Sequence, residues 1–397
     1  MIEPEQNRAY GMPLFRLGFR PFFLGAGVFA VIAVAVWMGI YNFGLDLNLA
    51  GYSARTWHAH EMIFGYAMSV ISGFLLTGIK NWTGIQTLRG NGLALLFCLW
   101  AAARITPLSG LHASVALSAT FDLLFMFIVM IAAARPVMKA RQFKQVGIIS
   151  KLLLLLCSNV LFYLGVFGIV EQGVQWGLYS GLYMVIALIF VMGRRVIPFF
   201  IEKGVDSPVV LVNRAWLDIA SLVLLLVLWV ADVFTPYTLA VSLVSAVLFV
   251  LHVIRLTGWY TRQLWSKPLL WVLFVAYASL VVGFALKAAQ CCFDISPLLA
   301  VHAFAYGGIG VITLGMMSRV ILGHTGRNVF EPPAALFWCF GLLVAGAIVR
   351  VLGPLLLMNQ YSDWIAVSQL LWILAFTVFL FVFTPMLLSP RIDGRDG

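Results

Sequence analysis

Two of the six histidines, His58 and His60, stand two residues apart with Glu61 beside them, at the mouth of a long apolar run. His302 opens a later apolar run at similar depth, and His252 and His324 lie towards the opposite end of theirs. Imidazole suits iron, copper and zinc, and the thioethers of Met62, Met316 and Met317 add donors that favour copper. A carboxylate next to an imidazole can orient it or relay protons. A polar group left unsatisfied in hydrocarbon is costly, so histidines placed there point to function. Metal or haem ligation is therefore expected at His58, His60, His302 and His252. His324 either joins His252 as an inner pair or caps a helix end in the turn Gly323-His324-Thr325-Gly326. His112, beside Gly110, reads as solvated.

Helical geometry limits these combinations. Successive residues turn by about 100°, so His58 and His60 face opposite ways on a regular helix. They then serve two centres, one on each side, or they converge if the first turn is extended. His302 and His324 are separated by about 33 Å of helix rise, the full hydrocarbon thickness, and cannot share a centre.

The elements that must hold these residues follow from composition. The chain has 397 residues, 62% hydrophobic and 10% charged, with mean hydropathy +1.01. A soluble domain could not hide that much apolar surface. Runs of about 18 or more apolar residues mark transmembrane helices. We expect an all-α polytopic protein, one transmembrane domain over 1–397, with twelve spans near 20–41, 57–79, 91–108, 112–134, 148–169, 176–193, 215–234, 236–258, 268–290, 298–322, 333–353 and 361–388. Residues 1–20 are too polar for a signal peptide, so the first run reads as a span. Arg135-Pro136 and similar pairs read as connections.

With both termini on the cytoplasmic side, 21 of the 25 Lys and Arg residues fall inside and only Arg55, Arg104, Lys287 and Arg350 outside. That bias is the positive-inside pattern, and it accounts for the net charge of +10 without a nucleic-acid partner. Trp57, Trp82, Trp176 and Trp259 near span ends fit an interfacial belt. The five cysteines show no metal-binding spacing and read as small buried hydrophobes.

A weak repeat runs through the chain. Shifting the second span by 242 residues places His60 on His302, Gly65 on Gly307 and Gly73 on Gly315. Shifting the sixth by 124 places Met192 on Met316 and Arg195-Val196-Ile197 on Arg319-Val320-Ile321. Spans two, six and ten are four helices apart, which suggests three arcs of four helices about a pseudo-threefold axis. Asp122, mid-span, is either a proton relay or a neutral carboxyl bonded to a neighbouring helix. Arg194, Arg195 and Arg319, at matching inner ends, either anchor the interface or pair with haem propionates or another anion.

Four segments carry a family resemblance. They are Arg20-Pro21-Phe22-Phe23; Trp57-His58-Ala59-His60-Glu61-Met62 running to Asn81-Trp82-Thr83-Gly84; Gly193-Arg194-Arg195-Val196-Ile197-Pro198; and His302 through Met316-Met317-Ser318-Arg319 to Arg327. Together they resemble the NnrS family of bacterial membrane proteins, over essentially the whole chain. The resemblance implies a twelve-span inner-membrane protein that binds haem and copper and acts in nitric oxide metabolism or tolerance of nitrosative stress. It assigns no ligands. A proton-coupled or small-molecule transporter, and an assembly factor handing haem or metal to a respiratory enzyme, are the alternatives.

Overall fold

A computed structural model describes residues 12–49, 52–110 and 113–394; Arg8, His112 and Arg395 lie outside them. Within the described residues twelve helices are long and apolar enough to cross a membrane: α1 (Phe19–Phe43), α2 (Ala54–Thr83), α3 (Gly90–Ser109), α4 (Ser114–Lys139), α5 (Phe143–Val166), α6 (Gly173–Gly204), α7 (Ala215–Phe234), α8 (Thr238–Trp259), α9 (Pro268–Ala289), α10 (Pro297–His324), α11 (Ala335–Leu356) and α12 (Tyr361–Leu388). No β-sheet occurs among them. Each span satisfies its own backbone, as hydrocarbon requires.

The packing repeats every four helices. α2, α6 and α10 touch one another at the centre, and α1, α5 and α9 lie against them. Successive pairs α4–α5, α8–α9 and α12–α1 close the ring. Two of the central spans are the most enclosed: over an 18-residue apolar stretch 72% of α2 and 78% of α10 is buried, against 28% of the peripheral α7. Close approach depends on small residues, because packing rather than hydrophobicity joins helices in lipid. The clearest case is the α5–α6 contact. A Cβ on Gly177 would lie 2.5 Å from the Phe162 backbone nitrogen.

Several expectations need correction. α6 does not end at residue 193; it continues through Arg194, Arg195 and Pro198 to Gly204. The charged pair interrupts the apolar run, but the helix runs on through it. Pro136 likewise lies inside α4. Trp57 and Trp259 are buried, so only Trp82 and Trp176 of the proposed belt are partly accessible. Being near a helix end does not place a residue at the lipid interface when that face packs inward. Of the cysteines only Cys339 is buried.

Two widened turns distinguish α2 and α10. α2 begins as a regular α-helix whose N-cap, Ser53, accepts from the Thr56 amide through its hydroxyl. It changes to π-helical turns over Glu61–Ala67. α10 does the same over Ala303–Gly310. Both stretches start on the residue after a histidine, His60 or His302, and the two starts are related by the same 242-residue shift. π turns recur at functional sites. α6, which carries no histidine at this level, is α-helical throughout.

Replacing Gly177 by Ala should force α5 from α6 and lower stability by about 1–3 kcal/mol, the usual range for overpacking. Gly147→Ala, where the added methyl meets open space, serves as the reference in a thermal melt of the detergent-solubilised protein.

Candidate functional site

His58 and His60 diverge, because the first turn of α2 is regular. His60 points into the first arc. Its Nδ1 lies 3.2 Å from Glu61 Oε1, and its Nε2 lies 3.0 Å from Asn159 Oδ1 and 3.4 Å from Asp122 Oδ2. Asn159 Nδ2 donates to Asp122 Oδ2 at 2.7 Å, so its oxygen is the atom facing the imidazole. Both ring nitrogens thus meet acceptors and both N–H groups donate. Arg104 Nη1 donates to Glu61 Oε2 at 2.7 Å, and its Nη2 bonds Asp122 Oδ1. Tyr163 adds a hydroxyl to Asp122 at 3.3 Å. Two carboxylates are therefore matched by a guanidinium and an imidazolium, all buried.

Local structure makes this convergence fit. Gly65 sits in the widened turn, and a Cβ there would lie 2.8 Å from Glu61 Oε2 and 3.0 Å from Arg104 Nη1. The Gly65 carbonyl, in the same turn, accepts from Trp100 Nε1 at 3.0 Å. Asp122 is thus an ion-paired carboxylate rather than a neutral one bonded to a neighbour. His60 has no lone pair left for a metal in this arrangement.

His58 faces the other way. Its ring stacks on Trp37, with centroids 4.7 Å apart and planes at 8°. Its Nδ1 is buried with no hydrogen-bond partner. His302 lies on the same side of the bundle, near enough for Arg350 to act electrostatically on both imidazoles. His302 Nδ1 donates to Leu298 O at 2.7 Å, which puts the lone pair on Nε2. Arg350 Nη2 donates to that lone pair at 3.0 Å. The guanidinium also lies 5.7 Å from the Tyr361 ring. A histidine that donates Nδ1–H to a backbone carbonyl is in the tautomer that metals bind through Nε2, the nitrogen that Arg350 holds here.

His252 and His324 are not brought together. His252 packs among Phe190, Tyr277 and Phe284. Its Nδ1 meets Tyr277 Oη at 2.7 Å and its Nε2 is buried without a partner. His324 packs on Phe19, near Arg20, Lys80 and Arg391, a cationic setting at the end of α10. Among the described residues no group of three or more His, Cys, Asp or Glu side chains is placed to hold a metal. Of the inner arginines, Arg194 and Arg255 both pair with Asp218, at 2.8 and 3.0 Å. Arg195 donates to Gln145 at 3.1 Å, and Arg319 lies 3.8 Å from the Phe200 ring centroid.

On the central axis, α1, α2, α6 and α10 line a half-open cavity of ≈ 100 Å³. Its walls are apolar, and Met192 and Met316 face it along with Phe74, Val185 and Ile312. Thr313 is its one hydroxyl, and it is bonded to Tyr66 Oη at 2.6 Å. No histidine lines it, so a histidine-ligated haem does not fit there.

Sequence reading missed Arg104, Asn159 and Arg350 as site residues. Arg104 and Arg350 carried a signal: they are two of the four basic residues on the outer side, against the charge bias. Asn159 carried none beyond being an amide in a leucine-rich run.

Removing Arg104 leaves Glu61 and Asp122 buried with one cation fewer, and breaking such a pair costs about 3–5 kcal/mol. Arg104→Leu should lower the melting temperature far more than Arg350→Leu, which strands no carboxylate. Melts of the two variants in the same detergent make the comparison.

No curated protein matches the chain. The NnrS protein family matches residues 13–391, almost the whole length. This polytopic, all-helical membrane protein belongs to the NnrS family.

Proposed function

We propose that the chain is a metal-binding protein of the bacterial inner membrane that acts in nitric oxide metabolism or nitrosative-stress tolerance. Its metal centre lies in the outer leaflet, with His58 and His302 as protein ligands. One observation carries the assignment of these two histidines: His302 is held in the metal-binding tautomer by Leu298 O, with its Nε2 lone pair on the end of the Arg350 side chain, which a metal would displace, beside a His58 whose buried Nδ1 has no partner among the described residues. Copper fits this donor set, because imidazole serves it well. Bound there, copper would supply one-electron chemistry towards a small diatomic ligand. No histidine lines the axial cavity, and no step is assigned to haem, the other cofactor the family resemblance implies.

The chain's own residues have distinct parts in this reading. Leu298 O fixes the His302 ring, and Trp37 fixes the plane of His58. Arg350 sets a positive field over both. His60, Glu61, Arg104 and Asp122 hold the first turns of α2 rigid from the opposite face, which keeps His58 in place.

Metal analysis, with absorption and electron paramagnetic resonance spectra of the purified protein, tests this. His302→Ala should remove most of the copper with the helical fold retained. His60→Ala should instead cost stability and leave the copper signal of the folded fraction unchanged. A folded wild-type protein that takes up no metal refutes the reading.

A further inference from the structure

The first and third arcs are built alike but neutralised differently. Arg104 lies five residues before the end of α3 and Arg350 six before the end of α11, the third helix of each arc. Each reaches the central helix of its arc beside a histidine: Arg104 bonds Glu61, next to His60, and Arg350 bonds His302. In the first arc two carboxylates answer the guanidinium. In the third, both are missing. The 242-residue shift that places His60 on His302 places Glu61 on Ala303. Asp122 is the ninth residue of α4, and the ninth residue of α12 is Gln369.

The consequence shows in the polar atoms. Arg350 is 7% exposed, yet among the described residues its Nη1 has no hydrogen-bond partner. Gln369 is buried with both amide atoms unpartnered. His58 Nδ1 is also unpartnered. Another outer cation, Lys287 on α9, is answered by Asp232 on α7 of the second arc at 2.8 Å. Among the described residues no carboxylate pairs with Arg350. A buried guanidinium with no counter-charge calls for an anion from outside the chain.

We propose that the outer end of the third arc, around Arg350, His58 and His302 and with Gln369 at the helix position that Asp122 holds in the first arc, is a binding site for a small planar oxyanion, a carboxylate or an inorganic ion of that shape. Such an ion takes the place that the Glu61 and Asp122 carboxylates fill in the first arc. The guanidinium fork matches two coplanar oxygens, and a Gln amide can donate to a third acceptor position. The site shares the His58–His302 locus with the metal reading but does not rest on it. The carboxylate may be free in solution or carried by a bound cofactor; the chemistry is the same.

The test is calorimetric titration of the full-length protein in detergent, with metal removed by chelation, against formate, nitrate and nitrite. Chloride and phosphate serve as ions of other shapes. Saturable binding of the planar ions is expected. Arg350→Gln should weaken it at least tenfold. Gln369→Glu, which gives the third arc its own carboxylate while keeping Arg350, should abolish it as well. Protein assayed both as isolated and after cofactor extraction separates the sources: a free ion binds in both states, a cofactor carboxylate blocks the site until it is extracted. Wild-type protein that shows no saturable binding in either state overturns the proposal, as does unchanged binding in folded Gln369→Glu. Metal content measured in parallel keeps the two ideas apart, since Arg350→Gln can lose the anion while retaining the metal.

Discussion

A charge inside a bilayer must find its counter-charge within the protein or bring one in, and this structure is arranged around that requirement. Arg104 ties α3 to α2 and α4 through Glu61 and Asp122. Lys287 ties α9 to α7 through Asp232, and the same carboxylate accepts from Tyr183 on α6. Asp218 on α7 joins Arg194 on α6 to Arg255 on α8. These bonds are few, but each fixes the rotation of a helix about its axis. Apolar packing alone does that poorly, because lipid and leucine are alike in hydrophobicity. Arg20 ties α1 to α12 by donating to the carbonyls of Leu387 and Ser389 at the end of α12.

Much of the architecture was legible in the sequence because hydrophobic length and the side preference of Lys and Arg act on whole segments. Twelve spans and their order follow from those two quantities. The four-helix step could be seen in the shift that aligns His60 with His302, and the packing of α2, α6 and α10 about one axis gives it a structural counterpart. Ends of helices were harder. α6 runs eleven residues past Gly193, the end expected from the sequence, because a helix does not stop where the membrane does.

The polar sites were legible only in part. The opposed faces of His58 and His60 follow from helical geometry once the first turn is regular, and the Ser53 cap makes it so. Their partners do not follow, since Arg104, Asn159 and Arg350 are distant in sequence and their meeting depends on how each helix is rotated. The widened turns were likewise hidden. Nothing in Glu61–Ala67 or Ala303–Gly310 distinguishes a π turn from an α turn until the contacts that stabilise it, such as Trp100 on the Gly65 carbonyl, are in place.

The cavity on the axis has a mechanical meaning apart from anything it might hold. Protein interiors are packed nearly as densely as organic crystals, and internal voids are what hydrostatic pressure removes on unfolding. Here the void lies where the three arcs meet, walled by residues of α2, α6 and α10 together. Compression therefore acts on the seam that the three arcs share.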